Sequence, residues 1–141
     1  MADLVLLAII IFSIYTDLRY RRIYNWVVFS AAAGGLALNL AAGGVAGLRG
    51  SLAGLLLGVG LLLIPFLLGG IGAGDVKLLG AVGALKGIGF VCLTFAAAAL
   101  IGGIIGLIAI IKHRSFRATI PYGPAISLGT LVAMIIINMS R

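Results

Sequence analysis

Long apolar runs separated by short charged segments dominate the pattern of hydrophobic and polar positions along this chain. A helix needs about 20 apolar residues to cross a hydrocarbon core roughly 30 Å thick. Three uncharged runs meet this length: residues 23–48, 50–74 and 87–111. A first run begins at Leu4 and is long enough only if it continues through Asp17 towards Tyr20, and a last run ends near Asn138. The pattern therefore predicts membrane-spanning helices along the whole chain.

The segment around Asp75 decides the number of spans. Only eight residues separate Lys77 from Lys86, so a span here must begin at or before Asp75 and draw Asp75 and Lys77 partly into the membrane. Arg49 predicts a short loop between the second and third spans. The sequence thus predicts an all-α membrane protein, a polytopic bundle of six transmembrane helices that forms one domain over residues 1–141.

The composition supports an integral membrane protein. Hydrophobic residues make up 63% of the chain and charged residues 9%, whereas a soluble domain carries about 25% charged residues. The 22 glycines lie within the apolar runs, and a spacing such as that of Gly54 and Gly58 predicts close packing of helix backbones. Cys92 is the single cysteine, which excludes an intramolecular disulfide and a zinc site built on clustered cysteines.

The basic residues predict the orientation, because cytoplasmic loops of membrane proteins are enriched in lysine and arginine. With six spans, seven basic residues fall on one side: Arg19, Arg21, Arg22, Lys77, Lys112, Arg114 and Arg117. Three fall on the other side: Arg49, Lys86 and Arg141. We therefore expect a multi-pass protein of the inner (cytoplasmic) membrane with both termini outside. Topology and contacts with anionic lipids account for the net charge of +7, so no nucleic-acid partner is expected.

Two carboxylates are the candidate chemistry. Asp17 ends the first span and Asp75 opens the fourth, so both are expected at the cytoplasmic edge of the bilayer. Two carboxylates a few ångströms apart share a proton and can activate a water between them for attack on a carbonyl group. This is aspartyl protease chemistry, which needs no metal and no cofactor. Gly72 and Gly74 would permit the close approach of a substrate strand.

The residues alone leave other interpretations open. Asp17 and Asp75 would also serve as ordinary charges at the ends of spans, and Asp75 as the N-cap of a helix. Lys77 either marks the cytoplasmic boundary or favours the ionised form of Asp75. Asn25 is expected to act as an N-cap of the second helix.

Three sequence blocks resemble those of the type IV prepilin peptidase family. Residues 72–79, which read GAGDVKLL, resemble the Gly-x-Gly-Asp block of that family. Residues 17–25, DLRYRRIYN, resemble its first catalytic block, an aspartate followed by basic residues and Ile-Pro-Asn, although Tyr24 stands where the proline is usual. Residues 121–124, PYGP, resemble its Pro-x-Gly-Pro block near the last span.

The resemblance implies a membrane-embedded aspartyl endopeptidase with Asp17 and Asp75 as the catalytic pair. Further residues of the three blocks are implied to bind substrate or shape the site: Gly72, Gly74, Lys77, Asn25, Pro121, Gly123 and Pro124. Such enzymes remove the leader peptides of type IV pilins, pseudopilins, Flp-type pilins or archaeal flagellin-like precursors, just before the hydrophobic N-terminal helix of the substrate. Larger members carry paired cysteines that bind zinc and also methylate the mature pilin, so the single cysteine here implies the short, peptidase-only form without N-methyltransferase activity.

Two other functions remain open. A small proton-coupled transporter subunit would use the same two carboxylates as proton carriers, and it predicts carboxylates near the middle of the membrane. A non-catalytic assembly subunit would use its glycine-rich helix faces to contact partners, and it predicts that Asp17→Asn and Asp75→Asn leave the function intact.

Overall fold

The computed structural model describes residues 2–20, 23–113 and 122–141, and all the regular elements in these ranges are helices. The five helices are α1 Ala2–Tyr20, α2 Asn25–Leu67, α3 Ala73–Lys86, α4 Ile88–His113 and α5 Tyr122–Met139. The predicted all-α class is therefore confirmed. Pro121, together with the basic residues at positions 21–22 and 114–117, lies outside the described residues.

Helix α2 reverses direction at Gly44. This residue has φ 59° and ψ −143°, a conformation that interrupts the helix and favours glycine. Gly35 and Ser51 would be about 24 Å apart in a straight helix, yet both contact Ala84 of α3. The chain therefore folds back on itself, and we call residues 25–43 and 45–67 the first and second arms of α2. The predicted loop at Arg49 is wrong, because the reversal lies five residues earlier and Arg49 itself is helical.

The two arms hold α3 between them at close range. The first arm runs parallel to α3, since Val28 packs in one buried cluster with Ala81, and Gly35 lies against Ala84. The second arm runs antiparallel to α3, and two of its glycines touch the α3 backbone. A Cβ atom on Gly58 would lie 2.5 Å from the carbonyl oxygen of Leu79. A larger residue at this contact would therefore force α2 and α3 apart.

The two arms also bond to the carboxyl end of α3. The Asn39 side-chain amide donates hydrogen bonds to the carbonyl oxygens of Ala84 at 3.0 Å and Leu85 at 3.3 Å. The buried hydroxyl of Ser51 donates to the Ala84 carbonyl as well. The last carbonyls of a helix have no partner within the helix and are costly to bury alone. Asn39 and Ser51 therefore fix the depth of α3 between the arms.

Helices α1, α4 and α5 complete the bundle around α3. Helices α1 and α5 are antiparallel: Asp17 lies beside Gly123 at one end, and Leu6 and Ala133 share a buried cluster towards the other. Helices α4 and α5 are also antiparallel. The Tyr122 ring at the start of α5 lies against Gly102 in the middle of α4, and Met134 near the end of α5 shares a buried cluster with Phe90 near the start of α4. An ion pair between Asp3 and Lys86 joins the start of α1 to the end of α3.

Three segments of the described residues are long and apolar enough to cross a membrane. They are Asn25–Leu67, Ile88–Lys112 and Tyr122–Met139. Helix α3, with 14 residues, would be only about 21 Å long. The prediction of membrane helices is thus confirmed in part, and the predicted count of six spans is not established by these helices.

The contact of α3 with the second arm predicts that Gly83→Ala destabilises the protein. A Cβ atom at position 83 would meet the backbone carbonyl of Gly54, and backbone cannot give way as a flexible side chain does. Overpacking of this kind costs about 1–3 kcal/mol. We expect a lower midpoint of thermal unfolding in detergent micelles, measured by circular dichroism.

Gly50→Ala is the matched control for Gly83→Ala. Nothing lies within 4 Å of a Cβ atom at position 50, and alanine is the better helix former. This variant is expected to unfold at or slightly above the wild-type midpoint. Equal midpoints for the two variants would contradict the close contact between the second arm and α3.

Candidate active site

Asp75 lies in the first turn of α3 and is 9% exposed. Gly72 is the N-cap of this helix, so Asp75 occupies the third helical position and is not itself the N-cap. A side chain at this position can turn back to the N-cap N–H group, and the Asp75 carboxylate does face the backbone of Gly72. Gly72 has an ordinary extended conformation, whereas Gly74 allows a close approach, because a Cβ atom there would lie 3.1 Å from the Ile23 side chain.

Asp17 lies in the last turn of α1 and is half-buried. Its Oδ2 atom is buried and has no hydrogen-bond partner among the described residues. An unpaired buried carboxylate oxygen is costly, so a proton, a water or another donor group is expected at this atom.

Gly123 brings the two carboxylates together. A Cβ atom on this residue would lie 2.7 Å from Asp17 Oδ2 and 3.2 Å from Asp75 Oδ1. Because both oxygens are so close to one point, the carboxylates are less than about 6 Å apart, a range in which like charges interact strongly. The sequence predicted a common depth for Asp17 and Asp75, and the structure adds that they are neighbours in the bundle.

The carboxylates have no basic partner in the described part of the chain. The ion pair found there joins Lys86 to Asp3, at the other end of α1 and α3. Lys77 is instead bound to the first arm of α2, where its Nζ donates a 3.2 Å hydrogen bond to Asn25 Oδ1 and lies 5.4 Å from the centre of the Phe29 ring.

The predicted N-cap role of Asn25 is wrong. Tyr24 is the N-cap of α2, without a side-chain hydrogen bond, and Asn25 is the first helical residue. Its side-chain oxygen instead accepts a hydrogen bond from Lys77, which lies 52 residues later in the sequence. Asn25 and Lys77 therefore form one polar contact between α2 and α3, two residues beyond Asp75.

Tyr122 is a further residue of the site that sequence reasoning did not select. Its ring packs on Gly102 of α4, with one ring carbon 2.6 Å from the position of a Cβ atom there, and its side chain lies within electrostatic reach of Asp75. The sequence feature that could have identified Tyr122 as a site residue is its position inside the PYGP block, residues 121–124. Pro124 of the same block lies half-buried in the first turn of α5.

A family comparison covers most of this architecture. The model of the "Type IV leader peptidase family" matches residues 4–107, which include both aspartates and helices α2 and α3. The chain belongs to the type IV leader peptidase family. Helix α5 lies beyond the matched residues, although Gly123 contacts both carboxylates.

One curated relative within this family is similar to the chain. It is the prepilin leader peptidase/N-methyltransferase of Bacillus subtilis (strain 168), 35% identical over 66 residues. The match covers 46% of this chain and 27% of that protein. No solved structure matches the chain significantly.

The contact at Gly123 predicts that Gly123→Ala impairs any reaction that uses both carboxylates, without unfolding the chain. The added methyl group must displace the Asp17 carboxylate, which a Cβ atom at this position would approach to 2.7 Å. A displacement of about 1 Å in a catalytic group can cost roughly 100-fold in rate. We expect kcat to fall by about this factor in a cleavage assay with purified enzyme.

Gly60→Ala serves as the control, because nothing lies within 4 Å of a Cβ atom at position 60. It is expected to cleave at the wild-type rate. A Gly123→Ala enzyme with unchanged kcat would show that Asp17 does not need the position that the structure gives it.

Proposed function

We propose that this chain is a membrane-embedded aspartyl endopeptidase that removes leader peptides from prepilin-like precursors, with Asp17 and Asp75 as its catalytic pair. The observation that carries the proposal is the approach of both carboxylates to Gly123 at adjoining helix ends. Membership of the type IV leader peptidase family supports the class of reaction. The identity of the two catalytic residues rests on their geometry and chemistry.

The mechanism uses one proton and one water between the two carboxylates. The ionised carboxylate accepts a proton from the water as its oxygen attacks the scissile carbonyl carbon. The protonated carboxyl group gives its proton to the carbonyl oxygen, so that a neutral gem-diol forms. When the C–N bond breaks, the amide nitrogen takes up a proton, and the pair again holds one proton. Every step is completed by these two side chains and water.

The surrounding residues are assigned supporting roles. Gly123 admits both carboxylates, and Tyr122 closes the side of the site towards α4. We assign the exposed contact between Lys77 and Asn25, together with Gly72, Gly74 and Pro124, to the edge along which the substrate strand is presented.

The proposal includes a topology of six spans in the cytoplasmic membrane, with both termini outside. Support comes from the reversal at Gly44, which divides the 43 residues of α2 into two antiparallel arms and so raises the number of helical segments to six. Asp17 in the last turn of α1 and Asp75 in the first turn of α3 then lie at one membrane face. Carboxylates at helix ends suit a peptidase and give no support to the proton-coupled transporter, which requires them deep within spans.

The exposed apolar surface and the family both support the proposed substrate class. Large apolar side chains are exposed on several helices of the described structure, among them Leu18, Leu67 and Leu68 close to the site end of their helices. A precursor with a hydrophobic N-terminal helix would pack on such a surface and present the peptide bond before that helix to the carboxylates. We further propose that the chain lacks N-methyltransferase activity, since its one cysteine does not supply the paired cysteines of the methylating members.

Replacement of either aspartate tests the proposed pair. Asp17→Asn and Asp75→Asn should each reduce cleavage of a prepilin-like precursor in membranes at least about 100-fold, because each removes one half of the acid–base pair. A gel-shift assay of leader removal measures this, with and without a chelator, and the chelator is expected to have no effect.

Asp3→Asn is the matched control, because Asp3 is the remaining acidic residue and pairs with Lys86 far from the site. Cleavage is expected to persist in this variant. Substantial cleavage by either Asp17→Asn or Asp75→Asn would overturn the proposed pair and favour a non-catalytic subunit, and loss of cleavage with chelator would contradict a metal-free mechanism.

The substrate helix offers a separate prediction. Inactive Asp75→Asn enzyme should bind a precursor at least about tenfold more weakly when the apolar helix is made polar, because burial of each apolar side chain contributes about 1.5–3 kcal/mol. A precursor with the same apolar residues in a shuffled order is the control and should retain most of the affinity. Equal binding of the polar-helix precursor would show that the leader peptide alone is recognised.

A further inference from the structure

Two buried serines lie one helical turn deeper in the bundle than the aspartates. Ser13 of α1 is 2% exposed and Ser127 of α5 is 1% exposed. Neither hydroxyl has a hydrogen-bond partner among the described residues. A buried polar group without a partner is rare, and it indicates a bound water or a functional role.

Neighbouring hydroxyls on the same helices behave differently. Thr16 Oγ1 donates to the carbonyl of Phe12 at 3.0 Å, and Thr130 Oγ1 donates to the carbonyl of Ile126 at 2.7 Å. Donation to a carbonyl one turn earlier is the usual arrangement for such residues in a helix. Ser13 and Ser127 do not use it, so their hydroxyls are available to another partner.

The helix register places both serines beneath Asp17. Helices α1 and α5 are antiparallel with Asp17 beside Gly123, so the next turn inward brings Ser13 and Ser127 to one level. Side chains in a helix lean towards its N-terminus. The Asp17 side chain therefore leans along α1 towards Ser13. The Ser127 side chain leans along α5 towards Gly123 and the two carboxylates.

We propose that Ser13 and Ser127 together bind one buried water, which donates a hydrogen bond to the Asp17 carboxylate and makes both serines positioning residues of the peptidase. The water accepts one hydrogen bond from each serine hydroxyl and donates one to the Asp17 carboxylate. Both serines and the buried oxygen of Asp17 then have a hydrogen-bond partner. Buried waters with about three polar partners are a regular part of protein structure. The inference rests on the proposed role of Asp17.

The function of this water is to hold Asp17 in the orientation that faces Asp75. Whenever both groups are ionised, the Asp75 carboxylate repels Asp17, and no lysine or arginine of the described residues pairs with Asp17. A donor on the inner side keeps the carboxylate in place without neutralising it, and it leaves the outer side free for the attacking water. Among the described residues, Asp75 on α3 lies within charge–charge reach of Asp17, Tyr122 on α5 lies within reach of Asp75, and Arg19 follows Asp17 on α1.

The experiment compares hydroxyl deletions at the two serines with variants of matched shape. Ser13→Val removes the hydroxyl and Ser13→Thr keeps it in a side chain of the same shape, while Ser127→Ala removes the second hydroxyl. Thr130→Val is the control, because its hydroxyl is already bonded to its own helix. Initial rates of precursor cleavage give kcat and KM for each full-length enzyme in micelles.

We expect Ser13→Val and Ser127→Ala to lower kcat about tenfold to 100-fold, as for loss of one hydrogen bond to a charged group. KM should stay within about twofold, because ground-state binding of substrate is not changed. Ser13→Thr should recover most of the lost rate, and Thr130→Val should cleave like the wild type. The double variant Ser13→Val and Ser127→Ala should have a kcat no lower than that of the slower single variant, because both serines act through one water.

Infrared difference spectra give a readout that does not require cleavage. The stretching band of the Asp17 carboxyl group, identified by its loss in Asp17→Asn, should shift in Ser13→Val and Ser127→Ala and stay in place in Thr130→Val. An unchanged kcat and an unchanged band in the serine variants would overturn this inference. If Asp17→Asn itself still cleaves, the proposed function fails, whereas an inactive Asp17→Asn enzyme beside fully active serine variants rejects the water site alone.

Discussion

The repulsion between Asp17 and Asp75 is the interaction on which the rest of this structure depends. Two carboxylates less than about 6 Å apart in an apolar bundle do not both ionise without cost. The one ion pair among the described residues joins Asp3 to Lys86, so neither Asp17 nor Asp75 has a basic partner there. The low cost of sharing one proton therefore suits this pair, and the packing of the bundle keeps the two carboxyl groups at this short separation.

The position of α3 is held from three sides. The arms of α2 contact its backbone along both flanks, and Asn39 and Ser51 satisfy the carbonyls at its end. The ion pair of Lys86 with Asp3 adds a contact between the far ends of α3 and α1. Rigid support of this kind is what the proposed catalytic pair needs, because small displacements of acid–base groups are costly in rate. Gly123 completes the support by letting α5 approach without a side chain.

Some of this arrangement was predictable from the sequence, for identifiable physical reasons. Charge-free runs of membrane length predicted helices throughout, and the spacing of charges predicted a common depth for Asp17 and Asp75. The reversal of α2 was misplaced to Arg49, because a charge marks an interface but does not end a helix, whereas the left-handed conformation at Gly44 does. Asn25 was misassigned as an N-cap because its partner, Lys77, is distant in sequence.

The lateral adjacency of the carboxylates was beyond prediction, since it depends on how α1, α3 and α5 pack against one another. It is also the claim most open to direct measurement. In a Cys92→Ser background, the double variant Asp17→Cys and Asp75→Cys can be treated with a short thiol cross-linker in native membranes, with each single variant as control. The structure predicts rapid cross-linking within one chain for the double variant alone. Absence of that cross-link, while both cysteines still react with a small monofunctional thiol reagent, would contradict the pairing of the two aspartates.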